Sequence, residues 1–112
     1  MMKKMFFILV FTVMGITAQA QEKSKNAKYD VEVKGNCELC KKRIEKVAFS
    51  VSGVKSAVWN PEDKKLHVIL NEQKNDLVAV KKAVAKVGHD ADDVKATDDD
   101  YSKLHHCCLY ER

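Results

Sequence analysis

Proline and glycine are scarce in this 112-residue chain, which has one proline, Pro61, and four glycines. No glycine-rich phosphate loop can be built from so few, which removes the usual nucleotide-binding signatures. No nucleophile–His–acid order and no catalytic carboxylate pair emerges, so no enzymatic activity is expected. The net charge of +4 is too small and too dispersed for a nucleic-acid-binding face. Internal repeats, low-complexity tracts and linker-like stretches are also lacking, and the length allows one small domain.

Long apolar runs are confined to the start. Lys3 and Lys4 precede an almost unbroken apolar stretch from Met5 to Ile16, followed by the small-residue pattern Ala18-Gln19-Ala20. This is the layout of a secretory signal, with cleavage expected after Ala20. The apolar core is about a dozen residues, short of the roughly 20 that span a bilayer. No stable membrane insertion is expected after cleavage, and the absence of a cysteine at the cut argues against a lipid anchor. The mature protein is therefore expected to be periplasmic or secreted. It would keep about ninety residues, a size with little stability to spare.

All four cysteines lie in that mature part: Cys37 and Cys40 near its beginning, Cys107 and Cys108 near its end. Export permits disulfides, but a loop-stapling framework spreads its cysteines, whereas these form two knots.

Residues 21–27 read as a flexible polar leader. Tyr29 to Val33 alternates apolar and polar residues, the period of a half-buried strand. From Glu38 the apolar positions Cys40, Ile44, Val47 and Val51 recur at helical spacing, until Ser52-Gly53 stops the helix. Val54 to Trp59 and the alternating Leu66, Val68 and Leu70 form two arms around a turn at Asn60-Pro61-Glu62-Asp63. Asn75 or Asp76 can cap a second helix with the stripe Leu77, Val80, Val84 and Val87, closed by Gly88. Ala91 to Val94 is expected to return as an edge strand. The resulting βαββαβ order predicts an α+β, ferredoxin-like sandwich: a four-stranded antiparallel sheet with two helices on one face. Thr97 before three aspartates predicts a short helical tail carrying Tyr101 and Leu104.

Cys37 and Cys40 stand where the first strand gives way to the first helix. Two intervening residues let both sulfurs face one point, and the unpaired N–H groups of the helix start favour thiolates. Thiolates suit soft or borderline ions. Such a pair also serves thiol–disulfide exchange, so an oxidoreductase using the same two cysteines is the competing reading. Against it, the sole proline lies in the hairpin turn, and no aromatic residue precedes Cys37.

Gly35-Asn36-Cys37-Glu38-Leu39-Cys40 after the first strand, Ser52-Gly53-Val54 at the second and Gly88-His89-Asp90 after the second helix resemble the heavy-metal-associated domain family. The resemblance covers residues 28–95, leaving 96–112 as a His/Cys-rich tail. Together with the export signal, the layout is most like the periplasmic mercury-binding proteins and copper chaperones. It implies that Cys37 and Cys40 bind Cu(I), Zn(II) or Hg(II) transiently and pass it by ligand exchange to a membrane metal transporter or metal ATPase. A monomer is expected, with a metal-bridged dimer as the alternative. Asn36 departs from the family's usual Met before the first cysteine. Glu38 adds a carboxylate between the two cysteines, as an oxygen ligand or as part of a solvated loop.

His89 is expected beside the metal loop, as a third ligand, as a proton-driven aid to release or as an exposed loop residue. His67 is read as solvent-exposed. His105, His106, Cys107 and Cys108 place four further donors in consecutive positions. That tail could close the first site, form a second one, relay metal between the two, or be oxidised onto Cys37 or Cys40. The basic run Lys41-Lys42-Arg43, with Lys46, reads as a solvated helix face that could also meet an acidic partner.

Overall fold

A computed structural model describes residues 23–112, and the expected signal and its cleavage point lie outside the described residues. Strand β1 (Ala27–Glu32) leads into helix α1 (Glu38–Phe49). The hairpin of β2 (Val54–Asn60) and β3 (Lys65–Leu70) follows, then helix α2 (Leu77–Lys86) and the short helix α3 (Asp98–Ser102). The three strands form one antiparallel sheet in the order β1-β3-β2. Tyr29 faces Val68 across one seam and Ala57 faces Val68 across the other.

Period-two alternation sorts β3 cleanly, with Leu66, Val68 and Leu70 buried on the helix-covered face. Val31 from β1 and Trp59 from β2 join them, and α1 and α2 lay Ile44, Ala48, Val80 and Val84 across this face. Each buried aliphatic side chain contributes about 1.5–3 kcal/mol of transfer free energy. Asp76, rather than Asn75, caps α2 by accepting from the Ala79 N–H at 3.0 Å. In the hairpin turn, Asn60 and Asp63 side chains accept from the N–H groups of Glu62 and Lys65. His67 is half exposed and its Nδ1 lies 2.6 Å from Asp30.

Among the described residues the expected fourth strand does not form, and the sheet has three strands rather than four. Ala91 to Val94 instead pairs with itself: the Ala91 and Val94 N–H groups each donate to the other's carbonyl at 2.9 Å. Asp92 turns the chain there with a positive φ of 49°. Lys81 of α2 holds the turn from below, 3.4 Å from Asp92 and 3.2 Å from Asp93. Two backbone bonds tie this segment to the end of β1, one from Lys34 N–H to Asp90 and one from Asp92 N–H to Glu32. A reversal that consumes its own donors leaves too few to extend a ladder.

Beyond it, Thr97 caps α3 by accepting from the Asp100 N–H. Gly88, at φ +106°, lets the tail return close to α2. A Cβ there would lie 2.9 Å from both the Asp100 carbonyl and the Leu104 side chain.

Candidate metal centre

Gly35 sets the approach to the first turn of α1. It is buried, and a side chain on it would press on the Trp59 ring at 3.1 Å and on Cys40 Cβ at 3.2 Å. Trp59 is itself pinned, its indole N–H donating to the Val33 carbonyl at 3.0 Å. Lys64 spans the gap from the hairpin and donates to the Gly35 carbonyl at 2.6 Å. The loop is thus held flat against the core before the chain reaches the cysteines.

Cys37 is the N-cap residue of α1, with extended backbone and no capping bond from its side chain. That leaves its sulfur free to turn toward Cys40, whose Sγ is 3.6 Å away. Cys40 is buried one turn along, and the Asn36 N–H donates to its sulfur at 3.3 Å. Asn36 therefore contributes through its backbone, and its side chain is exposed, as is Glu38.

The C-terminal tail comes to this same point. Cys107 Sγ lies 2.8 Å and Cys108 Sγ 3.4 Å from Cys37 Sγ, and the tail sulfurs are 3.9 Å apart. The sulfurs of Cys37, Cys40 and Cys108 all lie within 4.8 Å of one another. All four cysteines are free thiols. The spacing of the Cys37, Cys40 and Cys108 sulfurs and their soft donor character match what a thiophilic ion requires.

The thiols divide their protons unequally. The Cys107 thiol donates to Cys37 and holds it down to about 6, so Cys37 carries negative charge at neutral pH. Burial pushes Cys40 up to about 11. Hydrogen bonding to Cys37 raises Cys107, and burial raises Cys108. Arg43 Nη1, 3.5 Å from Cys108 Sγ, opposes that last shift.

The histidines stand apart from the sulfurs. His105 and His106 are exposed, and their rings meet at a tilt of 31° with centroids 4.6 Å apart. His105 Nδ1 accepts from the Cys107 N–H at 3.5 Å, a long contact that caps the turn His106–Cys108. His89 is fully buried, not an exposed loop residue, and lies outside the group of converging sulfurs. Its Nδ1 is 2.7 Å from the Lys34 carbonyl, so that nitrogen carries the proton and Nε2 is left buried without a partner. Burial lowers its pKa, and Arg43 adds to the effect, which keeps the ring neutral.

Two groups that the sequence reading passed over hold this arrangement. Tyr110 is buried, with its ring stacked on His89. Its hydroxyl donates to the Gly88 carbonyl at 2.7 Å and accepts from the Asp90 N–H at 3.0 Å. Arg112 ties down the chain end through Asp90 and Asp98, each at 3.1 Å, and the Ala96 carbonyl. An aromatic two residues beyond a cysteine pair was the available signal. Arg43, read as part of a solvated face, instead points its guanidinium at Cys108.

A three-stranded α+β sandwich that presents a cysteine pair at its first helix start is a thiol-based metal-binding domain. The heavy-metal-associated domain model matches residues 26–90, and the chain belongs to that family. Among solved structures, it is similar to a CopZ metallochaperone, at 27% identity and a TM-score of 0.56, over 58% of this chain and 98% of that one. It is also similar to the N-terminal domain of a potential copper-translocating P-type ATPase from Bacillus subtilis in its Cu(I)-loaded state. There the identity is 28% and the TM-score 0.57, over 60% of this chain and 85% of the other. Oxidized MerP from Ralstonia metallidurans CH34 shares the fold at 22% identity and a TM-score of 0.51, over 58% of this chain and 94% of its own. A comparison with curated protein sequences gives no match.

Proposed function

We propose that the protein is an exported metal carrier or scavenger. It takes up a soft or borderline ion, Cu(I), Zn(II) or Hg(II), on Cys37 and Cys40, and passes it to a membrane metal transporter or metal ATPase by ligand exchange. The observation that carries this reading is the 3.6 Å separation of the two sulfurs at the start of α1, within the fold of the family. The similar metallochaperone and the domain of a potential copper-translocating ATPase support both the cargo class and the kind of partner. Export rests on the pattern of residues 1–20. Among the described residues, no helix is long and apolar enough to cross a membrane.

Transfer needs a face for the acceptor. Lys42 and Lys46 are exposed on α1, whose first turn carries the cysteines, and offer positive charge to an acidic partner. Lys41 is occupied within the molecule, bonding Glu45 and the Trp59 carbonyl.

The test is competitive metal titration of the reduced chain followed by native mass spectrometry. The wild type is expected to hold one ion, and Cys37→Ser to lose it. Retention of wild-type affinity by Cys37→Ser refutes the assignment.

The 2.8 Å approach of Cys107 to Cys37 supports a second reading, thiol–disulfide exchange at the same cysteines. Catalytic turnover in insulin reduction would establish it in place of the carrier, which is expected to show none.

A further inference from the structure

Resting on the carrier reading above, we infer that the tail closes the metal site: Cys107 and Cys108 join Cys37 and Cys40 as a four-thiolate cage for a tetrahedral divalent ion of the zinc class. An open two-sulfur loop and a closed four-sulfur cage differ in cargo and in retention, because structural zinc sites are four-coordinate and closed.

The distances carry the inference. Bonds of about 2.3 Å from a tetrahedral ion to sulfur set sulfur–sulfur edges of about 3.8 Å. The edges Cys37–Cys40, Cys37–Cys108 and Cys107–Cys108 are 3.6, 3.4 and 3.9 Å. Cys40 and Cys108 also lie within 4.8 Å of each other. Cys37–Cys107, at 2.8 Å, must open by about 1 Å on the same geometry, and Cys107, which stands outside the trio of sulfurs lying within 4.8 Å of one another, must draw in toward Cys40. A disulfide employs two sulfurs at a time, whereas here three sulfurs from opposite ends of the domain lie within 4.8 Å of one another and the fourth, on Cys107, is in contact with two of them.

The tail is also held in place by contacts that do not involve sulfur. Leu104 before the pair is packed against Gly88, and Tyr110 after it is bonded to Gly88 and Asp90. The ordering of Cys107 and Cys108 is thus largely achieved by the fold itself, which lowers the entropic cost of adding two ligands. Four thiolates around a divalent ion leave two excess negative charges. Arg43 at Cys108 and the N–H groups at the start of α1 lie where they offset that charge. Each of the four sulfurs that is still protonated releases its proton to solvent on binding, Cys37 being ionised already, and no oxidation is involved.

The test uses the reduced chain without its signal, Zn(II) and Cd(II) as probes, and the variants Cys107→Ser/Cys108→Ser and Cys37→Ser/Cys40→Ser. With one Zn(II) bound, all four wild-type cysteines are expected to resist alkylation, and cadmium NMR to show the downfield shift of a four-sulfur site. The tail variant should bind Zn(II) more than about 100-fold more weakly, since loss of outer-shell partners alone costs 10- to 100-fold. Protection of only Cys37 and Cys40, with unchanged affinity in the tail variant, overturns the cage and leaves the carrier standing. Wild-type affinity in Cys37→Ser/Cys40→Ser overturns the carrier reading itself. The alkylation and NMR measurements use the wild type alone, so the result does not depend on how the variants fold.

Discussion

Replacing Tyr110 by Phe removes one oxygen and leaves the ring in place, so it isolates what holds the tail. That hydroxyl serves two buried backbone groups, accepting from Asp90 N–H and donating to the Gly88 carbonyl. Both residues are buried, and no other hydrogen bond to either group is present among the described residues. An orphaned buried donor or acceptor costs about 1–3 kcal/mol, so the pair should cost about 2–6 kcal/mol. If the loss falls on tail docking, opening of the tail becomes about 30- to 20,000-fold more frequent, at 1.4 kcal/mol per tenfold. Native-state amide exchange reads this directly. The Asp90 and Tyr110 amides should lose protection by that factor, while the Val68 amide in the central strand changes far less. A loss below threefold at Asp90 and Tyr110 would refute the reasoning, since the hydroxyl would then be no more than a replaceable solvent contact.

Three further outcomes are expected. Alkylation of Cys37 in the reduced, metal-free chain should rise with pH about a midpoint near 6, because the Cys107 thiol stabilises its thiolate; Cys107→Ala should move that midpoint up toward the ordinary cysteine range, and an unmoved midpoint contradicts the contact. The linked stability is fully present above the unfolded-state pKa and is lost as pH falls through about 6. Gly88→Ala forces a left-handed conformation on an L side chain and drives its Cβ against Leu104 and the Asp100 carbonyl, so urea denaturation should show a loss of about 2 kcal/mol or more. Lys42→Glu/Lys46→Glu should slow metal transfer to an acidic acceptor by about tenfold at low salt, with the difference shrinking at high salt and the metal affinity unchanged; weakened metal binding would show that these lysines belong to the site.

What was legible from the residues was local. Leu66, Val68 and Leu70 declare their strand by alternation, and Val80 and Val84 declare their helix by spacing, because each pattern is written within a few positions. The cysteine pair is legible for the same reason, since two residues between Cys37 and Cys40 bring both sulfurs to one helix end. The hydrogen-bonding habits of Asn75 or Asp76 and of Thr97 marked the starts of α2 and α3, and the structure selects Asp76 for the first. The fourth strand expected at Ala91 to Val94 shows the limit: its two aspartates suit a turn, and Ala91 and Val94 spend their N–H groups on each other around Asp92.

The chain's own order of residues was enough to mark a thiol pair on the first five elements of the expected βαββαβ order and a second cysteine cluster at its far end. Whether those clusters meet was settled only in three dimensions, since Cys37 and Cys107 are 70 positions apart. Their approach depends on Gly88 admitting Leu104, Tyr110 fastening to backbone groups of Gly88 and Asp90, and Arg43 turning toward Cys108. No periodicity records such contacts, because each is made between elements that the sequence keeps apart and packing brings together.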